Sequence, residues 1–218
     1  ALPILTAFGL KAYEWLAGKL SLGATQVLGT SALQRVLPDL PAAVAGIRYW
    51  DGQFEDARLA LALAKTARSA GACVHNHMKV MALRHQAQTW HVELEDARTG
   101  QMLSLQTRCL VNATGVWVDG LRRMALQPGG AAGADDASVQ PLVSTSQGVH
   151  VVVSRKRLPI NEAVLIPKTS DGRVLFAVPW LGATVIGTTD TPREDAPLEP
   201  LPFKHELDFI FRETRQAL

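Results

Sequence analysis

The 218-residue sequence predicts a mixed fold, with an α/β part in its first half and an α+β part with an antiparallel sheet towards its end. Residues 56–69 have helical periodicity, and a β-prone run follows from Cys73. The apolar run 109–112 leads through small residues into the helical pattern 116–126. Between residues 149 and 188, four short β-prone runs are separated by turns and by no helix, which is typical of an antiparallel sheet.

Composition and charge limit the classes of function. Hydrophobic residues make up 47% of the chain and charged residues 19%, which suits a globular protein with a buried core. The net charge of +2 provides no basic surface for nucleic acid, so we expect no nucleic-acid partner. Every apolar stretch is interrupted well before the about 18 residues that a membrane span needs.

The first residues and the two cysteines indicate the context of the chain. The sequence begins at Ala1 without an initiator Met or a charged leader, so we expect an excised piece of a longer protein. Cys73 and Cys109 lie near the starts of two predicted buried strands and lack metal-ligand spacing. They are predicted to be free core thiols in a reducing compartment.

The first fifty residues predict two helices and a strand. Apolar residues at helical intervals over 4–20 predict a helix that ends at Gly18 or Gly23, with its aromatic residues in the core. Residues 21–30 are predicted to be a Gly-rich connection. A short helix opens at Ser31 and stops before the prolines that follow, and residues 47–50 have the pattern of a strand.

The next elements suggest a strand-helix-strand unit followed by a hairpin. The helix 56–69 is expected to end at Gly71, and the strand from Cys73 to Leu83 would complete a unit spanning 47–80. Two runs of alternating apolar and polar residues, 89–97 and 102–105, predict a β-hairpin with one solvent-exposed face.

Beyond these elements the chain is expected to hold one more buried strand, a linker, the antiparallel sheet and a helix. Leu110–Asn112 is predicted to be a buried strand because it is uniformly apolar, and residues 128–138 have the composition of a linker. Residues 192–202 are a Pro-rich crossing. A last helix then carries Leu207, Ile210 and Phe211. The four predicted strands of the sheet are 149–154, 163–167, 174–179 and 184–188.

The segment Cys109–Asp119 is the strongest candidate for ligand binding. The short side chains of Ala113 and Gly115 allow a ligand to approach the main chain, and the helix that follows directs N–H groups at phosphate. Tight packing of a strand on a helix explains the same residues and stays open as an alternative. No G-x-G-x-x-G turn follows a predicted strand. The glycine-rich run 129–133 is similar to this motif, but it lies in the polar linker without a strand before it.

Histidines and carboxylates provide further candidates. His150 lies beside a Gly turn at the edge of an apolar strand, where it acts either as a base or anion ligand or as a structural residue. His75 and His77 would share one strand face, but no third ligand is suitably spaced, so no metal site is predicted. Asp56 is explained as a helix cap, and the segment 188–190 either faces a ligand or turns the chain.

Five motifs in order, at 49–59, 111–119, 146–150, 166–180 and 186–192, are similar to the FAD-dependent glycerol-3-phosphate dehydrogenase family. The first helix, over residues 9–19, resembles that family as well. The resemblance implies oxidation of sn-glycerol 3-phosphate to dihydroxyacetone phosphate, with a hydride passing from C2 to the flavin. Residues 45–128 would form part of a Rossmann-like, three-layer FAD-binding domain. The flanking ranges 1–44 and 129–218 would form part of a substrate-binding domain with the antiparallel sheet.

The resemblance also implies roles for single residues. His150 would lie near the substrate as the catalytic residue, and the strand near Val80 would meet the adenine through its backbone. The remaining residues implied to bind the cofactor are Ala113, Thr114, Gly115 and Trp117, and those implied to lie on the substrate side are Arg173, Thr188, Thr189 and Asp190.

The implied partners are FAD, glycerol 3-phosphate and a quinone acceptor. The full-length enzyme would be cytoplasmic and peripheral on the inner membrane, with homodimerisation left open. The family's G-x-G-x-x-G segment and its arginine-bearing C-terminal part do not occur here, so we expect an inactive fragment that retains FAD weakly or not at all. The alternatives are another amino-acid-oxidase-like flavoprotein acting on an amine or hydroxy acid, and a non-catalytic fragment that binds a partner through uncovered apolar surface.

Overall fold

The structure is a computed structural model that describes residues 2–38, 45–127, 140–167 and 169–218. The linker predicted at 128–138 lies outside the described residues. The chain divides into two compact units. Unit 1 comprises residues 1–54, 147–191 and 201–218, and unit 2 comprises residues 55–146 and 192–200. The assignment of an FAD-binding and a substrate-binding domain to particular ranges stays a prediction.

Five helices and eleven strands are found among the described residues. The helices are α1 (Leu2–Ala17), α2 (Thr30–Val36), α3 (Asp56–Ser69), α4 (Val118–Leu126) and α5 (Lys204–Ala217), with short 3₁₀ turns at Gly18–Leu20 and Gly115–Trp117. The strands are β1 (Gln26–Gly29), β2 (Ala45–Arg48), β3 (Met78–Gln86), β4 (Thr89–Asp96), β5 (Met102–Thr107), β6 (Ser146–Gln147), β7 (His150–Ser154), β8 (Val164–Ile166), β9 (Leu175–Trp180), β10 (Ala183–Gly187) and β11 (Thr191–Pro192). Within the described residues, none of the helices combines the length and apolar character that crossing a bilayer requires.

The main sheet of unit 1 confirms the antiparallel sheet expected near the end of the chain. Its strand order is β7-β10-β9-β8, and every neighbouring pair is antiparallel. The core beneath it contains Leu175, Ala177 and Ile186 from the sheet and Ile210 from α5, all buried. Because Ile210 recurs with Leu207 and Phe211 at helical spacing, the last helix was predictable and is confirmed.

The first part of unit 1 departs from the sequence-based expectation in two ways. Residues 21–30 are not only a connection, because Gln26–Gly29 forms β1 and pairs antiparallel with β2. The predicted helix is α1, which ends just before Gly18, but its aromatic residues are not in the core: Trp15 is 80% exposed. Periodicity identifies a helix, whereas burial depends on whether another element covers its apolar side.

Unit 2 contains a three-stranded antiparallel sheet in the order β3-β4-β5. The predicted hairpin is confirmed as β4 and β5, and its connection includes Gly100 with a φ of +72°. Leu83 and Val92 from this sheet pack with Met124 from α4 and form the core of the unit.

Three expectations for the α/β part are wrong. Leu110–Asn112 is not a strand, and Val111 is 81% exposed. The strand-helix-strand unit over 47–80 does not form among the described residues, since β2 pairs with β1 and β3 pairs with β4. The cysteines are free, as expected, but both are exposed rather than in the core.

These errors share one physical cause. α3 forms where it was predicted and ends at Ser69, two residues before Gly71, whose φ is +95°, yet none of its residues is buried. A buried parallel strand needs hydrogen-bonding neighbours and helices on its faces. The described residues offer no such neighbours to 73–77 or 109–112, so both segments stay irregular, and the strand expected from Cys73 begins only at Met78.

Candidate functional site

The residues predicted to bind substrate and those predicted to bind the cofactor lie in different units. The substrate candidates His150, Arg173 and the segment 188–190 belong to unit 1. The cofactor candidates, Val80 and the bend from Ala113 to Trp117, belong to unit 2. Each group has its own geometry.

In unit 1, His150 lies opposite the end of strand β10. It is the first residue of β7 and pairs with Gly187, the last residue of β10. A Cβ atom on Gly187 would lie 2.5 Å from Cδ2 of His150 and 2.8 Å from the carbonyl oxygen of Val149. Glycine is therefore required at position 187 for the imidazole to lie against this strand end.

The loop before His150 and the loop after Gly187 also lie very close to each other. A Cβ atom on Gly148 would lie 2.6 Å from Oγ1 of Thr188 and 3.2 Å from the carbonyl oxygen of Thr189. The Val149 N–H donates a 3.0 Å hydrogen bond to Oγ1 of Thr189. His150 and Thr188 are exposed while Thr189 is buried, so Thr189 supports the loops from beneath and the other two side chains are open to a ligand.

Arg173 joins this cluster from the turn before β9. Its Nη1 donates a 3.1 Å hydrogen bond to the carbonyl oxygen of Asp190, and its guanidinium lies 5.1 Å from the ring centroid of Phe209. Its Nε donates to Oδ2 of Asp171 at 2.9 Å. The hydrogen bonds from Arg173 hold the pKa of Asp171 well below its ordinary value, although burial opposes this.

The structure thus brings together five residues that the sequence placed on the substrate side or in catalysis. They surround the end of β10: His150, Arg173, Thr188, Thr189 and Asp190. The charge of Arg173 is paired with Asp171. The hydrogen bond from Arg173 to the carbonyl oxygen of Asp190 holds the turn before β9 against the segment 188–190.

Sequence reasoning missed the buried polar residues behind this cluster. Glu206 and Glu213 on α5 are both buried, and Gln147 is buried beside Glu206. Glu213 follows Glu206 by seven positions, about two helical turns, so both lie on the helix face that also carries Ile210. Carboxylates on an apolar face were the available sequence signal, because a buried charge needs several partners.

In unit 2, the bend from Asn112 to Trp117 is open to solvent. Nδ2 of Asn112 donates to the carbonyl oxygen of Val118 at 2.9 Å, and its Oδ1 accepts from the Thr114 hydroxyl at 2.8 Å. Gly115 has a φ of +59°, and an added Cβ atom would meet nothing within 4 Å. Ala113 and Gly115 are exposed, so a flat ligand has room to lie against this main chain.

Two other features of this bend bear on the predicted cofactor site. The indole N–H of Trp117 donates to the carbonyl oxygen of Ala196 at 2.8 Å, so part of its ring anchors the segment 192–200. The buried carboxylate of Asp119 lies in the first turn of α4 and accepts from the N–H groups of Leu142 and Val143. The Leu142 hydrogen bond is the main reason that the pKa of Asp119 is lowered, against the opposing effect of burial. A carboxylate therefore already occupies the positive end of this helix dipole.

Val80 lies next to an irregularity of β3. It pairs with Leu94, and the register shifts between Val80 and Ala82. Such a bulge redirects the backbone of a strand. The cofactor-binding role of Val80 stays a prediction, as do the roles of the other four cofactor candidates.

No metal centre is found among the residues that the structure describes, which contain no group of three or more His, Cys, Asp or Glu side chains able to hold an ion. The assumption that His75 and His77 share a strand face is wrong, because both precede β3.

Comparison with known proteins gives a consistent result. Residues 4–218 match the family model described as FAD dependent oxidoreductase. The chain is 37% identical over 219 residues to the mitochondrial glycerol-3-phosphate dehydrogenases of Macaca fascicularis and Homo sapiens, and 34% identical to that of Schizosaccharomyces pombe. These alignments cover 96% of this chain but 29%, 29% and 33% of the relatives, so the chain spans about a third of their length.

A solved structure is similar over nearly the whole chain. It is the glycerol-3-phosphate dehydrogenase from Bacillus halodurans complexed with FAD, at a TM-score of 0.73 and 26% sequence identity. The similarity covers 97% of this chain and 44% of that chain. Together with the helices and antiparallel sheets described above, it confirms the predicted fold class.

Proposed function

Because the chain belongs to the FAD dependent oxidoreductase family, we propose that it forms part of an enzyme that oxidises glycerol 3-phosphate to dihydroxyacetone phosphate. The proposal is supported by the relatives, which are named glycerol-3-phosphate dehydrogenases. The structural observation that carries it is the convergence of His150, Thr188 and Arg173 at the end of β10.

Each of these side chains has a defined task in the proposed reaction. The exposed imidazole of His150 is suited to accept the proton of the substrate's C2 hydroxyl. The hydroxyl of Thr188 lies at the same strand end and is exposed, so it is suited to orient the substrate by a hydrogen bond. Arg173 keeps the segment 188–190 in place through its hydrogen bond to the carbonyl oxygen of Asp190.

FAD is the implied cofactor, and when bound it supplies the acceptor for the hydride that leaves C2. The residues of unit 2 fit such a group because the bend at Ala113 and Gly115 leaves open space beside bare main chain. We propose that Ala113, Thr114, Gly115 and Trp117 lie along the dinucleotide and that the backbone near Val80 meets its adenine.

The remaining parts of the proposal are drawn from the family resemblance. We propose that the electrons pass to a quinone and that the enzyme is peripheral on the cytoplasmic side of the inner membrane. We also include homodimerisation in the proposal, and sedimentation of the purified enzyme tests it.

The reaction is tested with the product of the whole reading frame that contains these 218 residues. Dye reduction is measured with glycerol 3-phosphate, glycerol, an amine and a 2-hydroxy acid, and flavin content is measured by absorbance. We expect a rate with glycerol 3-phosphate that His150→Asn lowers by about 10²- to 10⁴-fold at unchanged flavin content. His75→Asn, which changes an exposed histidine in unit 2, is the matched control and should keep the wild-type rate.

Two outcomes contradict the proposal. A rate with the amine or the hydroxy acid and none with glycerol 3-phosphate favours the amino-acid-oxidase-like alternative. No rate with any substrate favours the non-catalytic alternative. For the 218-residue chain alone we expect weak or no retention of FAD, and flavin absorbance at unit stoichiometry would contradict that expectation.

A further inference from the structure

The buried carboxylate of Glu206 lies directly behind the cluster at the end of β10. Glu206 is only 1% exposed, and its carboxylate accepts hydrogen bonds from four donors. Oε1 accepts from the hydroxyls of Thr189 at 3.1 Å and Thr191 at 2.6 Å. Oε2 accepts from Nε2 of Gln147 and from the Phe203 N–H, both at 2.8 Å.

Two of these donors, Gln147 and Thr189, flank or belong to two separate loops of the candidate site, whereas the Phe203 N–H belongs to the N-cap residue of α5 itself. Gln147 starts the loop that leads into His150, and Thr189 follows Thr188 in the loop after β10. One carboxylate therefore holds both loops at once. A charged acceptor makes stronger hydrogen bonds than a neutral one, and it is most effective when it is buried and fully paired.

A continuous path of hydrogen bonds leads from Glu206 to the residue beside His150. The Thr189 hydroxyl donates to Glu206 and accepts from the N–H of Val149. Because the Thr189 proton is used on Glu206, the hydroxyl oxygen is left to face Val149 as an acceptor. The orientation of the His150 loop thus depends on an acceptor at position 206.

A second glutamate on the same helix face holds the third loop of the site. Glu213 accepts hydrogen bonds from both the N–H and the hydroxyl of Ser170, at the start of the turn that carries Arg173. Between the two glutamates, Phe209 lies against the Arg173 guanidinium. Helix α5 therefore contacts all three loops with consecutive turns of one face.

We propose that Glu206 is a positioning residue, which sets the loop of His150 against the loop of Thr188 through Thr189 and Gln147. Its consequence for catalysis rests on the function proposed above, whereas its effect on the loops does not. In the proposed enzyme, a shift of the imidazole relative to Thr188 would slow the reaction without removing the cofactor.

The loop arm of the test uses amide hydrogen exchange, followed by NMR, on the 218-residue chain. Glu206→Gln keeps the shape of the side chain but removes the charge and one acceptor atom. We expect the protection of the Val149 amide to fall about tenfold more than that of Ala177, which lies in the middle of β9. Asp208→Asn on the same helix, where the exposed Asp208 forms an ion pair with exposed Lys204, is the matched control and should change neither amide.

A purely structural role is separated by Ile210→Val, which weakens the core and removes none of the hydrogen bonds of Glu206 and Thr189. That variant should lower the protection of Val149 and Ala177 by the same factor. The proposal is overturned when Glu206→Gln behaves in this uniform way or leaves Val149 unchanged. If Glu206→Gln does not fold, Thr189→Val interrupts the same path, and the same selective loss at Val149 is expected.

The catalytic arm uses the product of the whole reading frame. We expect Glu206→Gln to lower kcat for glycerol 3-phosphate about tenfold or more at unchanged flavin content, while Asp208→Asn keeps the wild-type kcat. An unchanged kcat beside a selective loss at Val149 overturns the catalytic part of the proposal. A wild-type enzyme without activity on glycerol 3-phosphate refutes the proposed function instead, and the exchange result still decides the positioning role.

Discussion

The sheet β7–β10 with α5 and the helix α3 with the run 109–112 all carry clear apolar patterns, but the two regions differ in burial. Leu175, Ala177 and Ile210 are fully buried in the first region. In the second, α3 has no buried residue and Leu63 is 62% exposed. An apolar pattern therefore predicts an element, whereas its burial depends on a partner for its apolar face.

The two regions differ in where their partners come from. The strands β8, β9 and β10 follow one another and pair with their neighbours in sequence, and β7 adds to the edge. A parallel strand pairs only across a longer connection and is buried on both faces. The runs 73–77 and 109–112 have no such neighbours among the described residues.

The largest expected effect separates these regions by stability. Ile210→Ala should lower the free energy of unfolding by about 2–5 kcal/mol, because it leaves a cavity in a fully buried position. Leu63→Ala on α3 should change it by less than about 0.5 kcal/mol, because the side chain is already in water. Denaturant unfolding followed by circular dichroism measures both. Equal losses in the two variants would show that α3 is covered in solution and would remove the contrast.

Local patterns were sufficient for the elements with sequence-adjacent partners. The hairpin of β4 and β5, the four strands of the main sheet and helix α5 were all predictable from alternation and periodicity. His150 and the segment 188–190 lie where Gly148 and Gly187 allow two loops to approach closely, and their roles stay predictions.

Patterns failed where an element depends on distant residues. β1 is only four residues long, and its pairing partner β2 begins sixteen residues after it ends. Glu206 looked like an ordinary charged residue of a surface helix, because its four donors come from residues spread between 147 and 203. The sequence does not reveal which charges become buried until those contacts are known.

The next effect in size compares two glycines, one from each unit. Gly187→Ala should cost about 1–3 kcal/mol, because its Cβ would overlap His150 and the Val149 carbonyl oxygen and force both to move. Gly115→Ala should cost about 1 kcal/mol, since space is free there and only the positive φ opposes a side chain. The same unfolding measurement gives both values, and the NMR signals of the His150 ring should shift in the first variant alone.

The smallest effect is expected on the acid side of the stability curve. The hydrogen bonds from the Ser170 hydroxyl and N–H outweigh burial and lower the pKa of Glu213, and the Leu142 N–H does the same for Asp119. Below about pH 5 the unfolded chain then binds more protons than the folded one, so these contributions are complete at neutral pH and are lost as the pH falls. Glu213→Gln and Asp119→Asn should each weaken the fall of the unfolding free energy with decreasing pH. Unfolding curves recorded from pH 3 to pH 7, at intervals of about one pH unit, measure this dependence. Leu63→Ala changes no titratable group and should keep the wild-type slope, and a wild-type slope in the Glu213 variant would mean that its bonds to the Ser170 turn do not persist in solution.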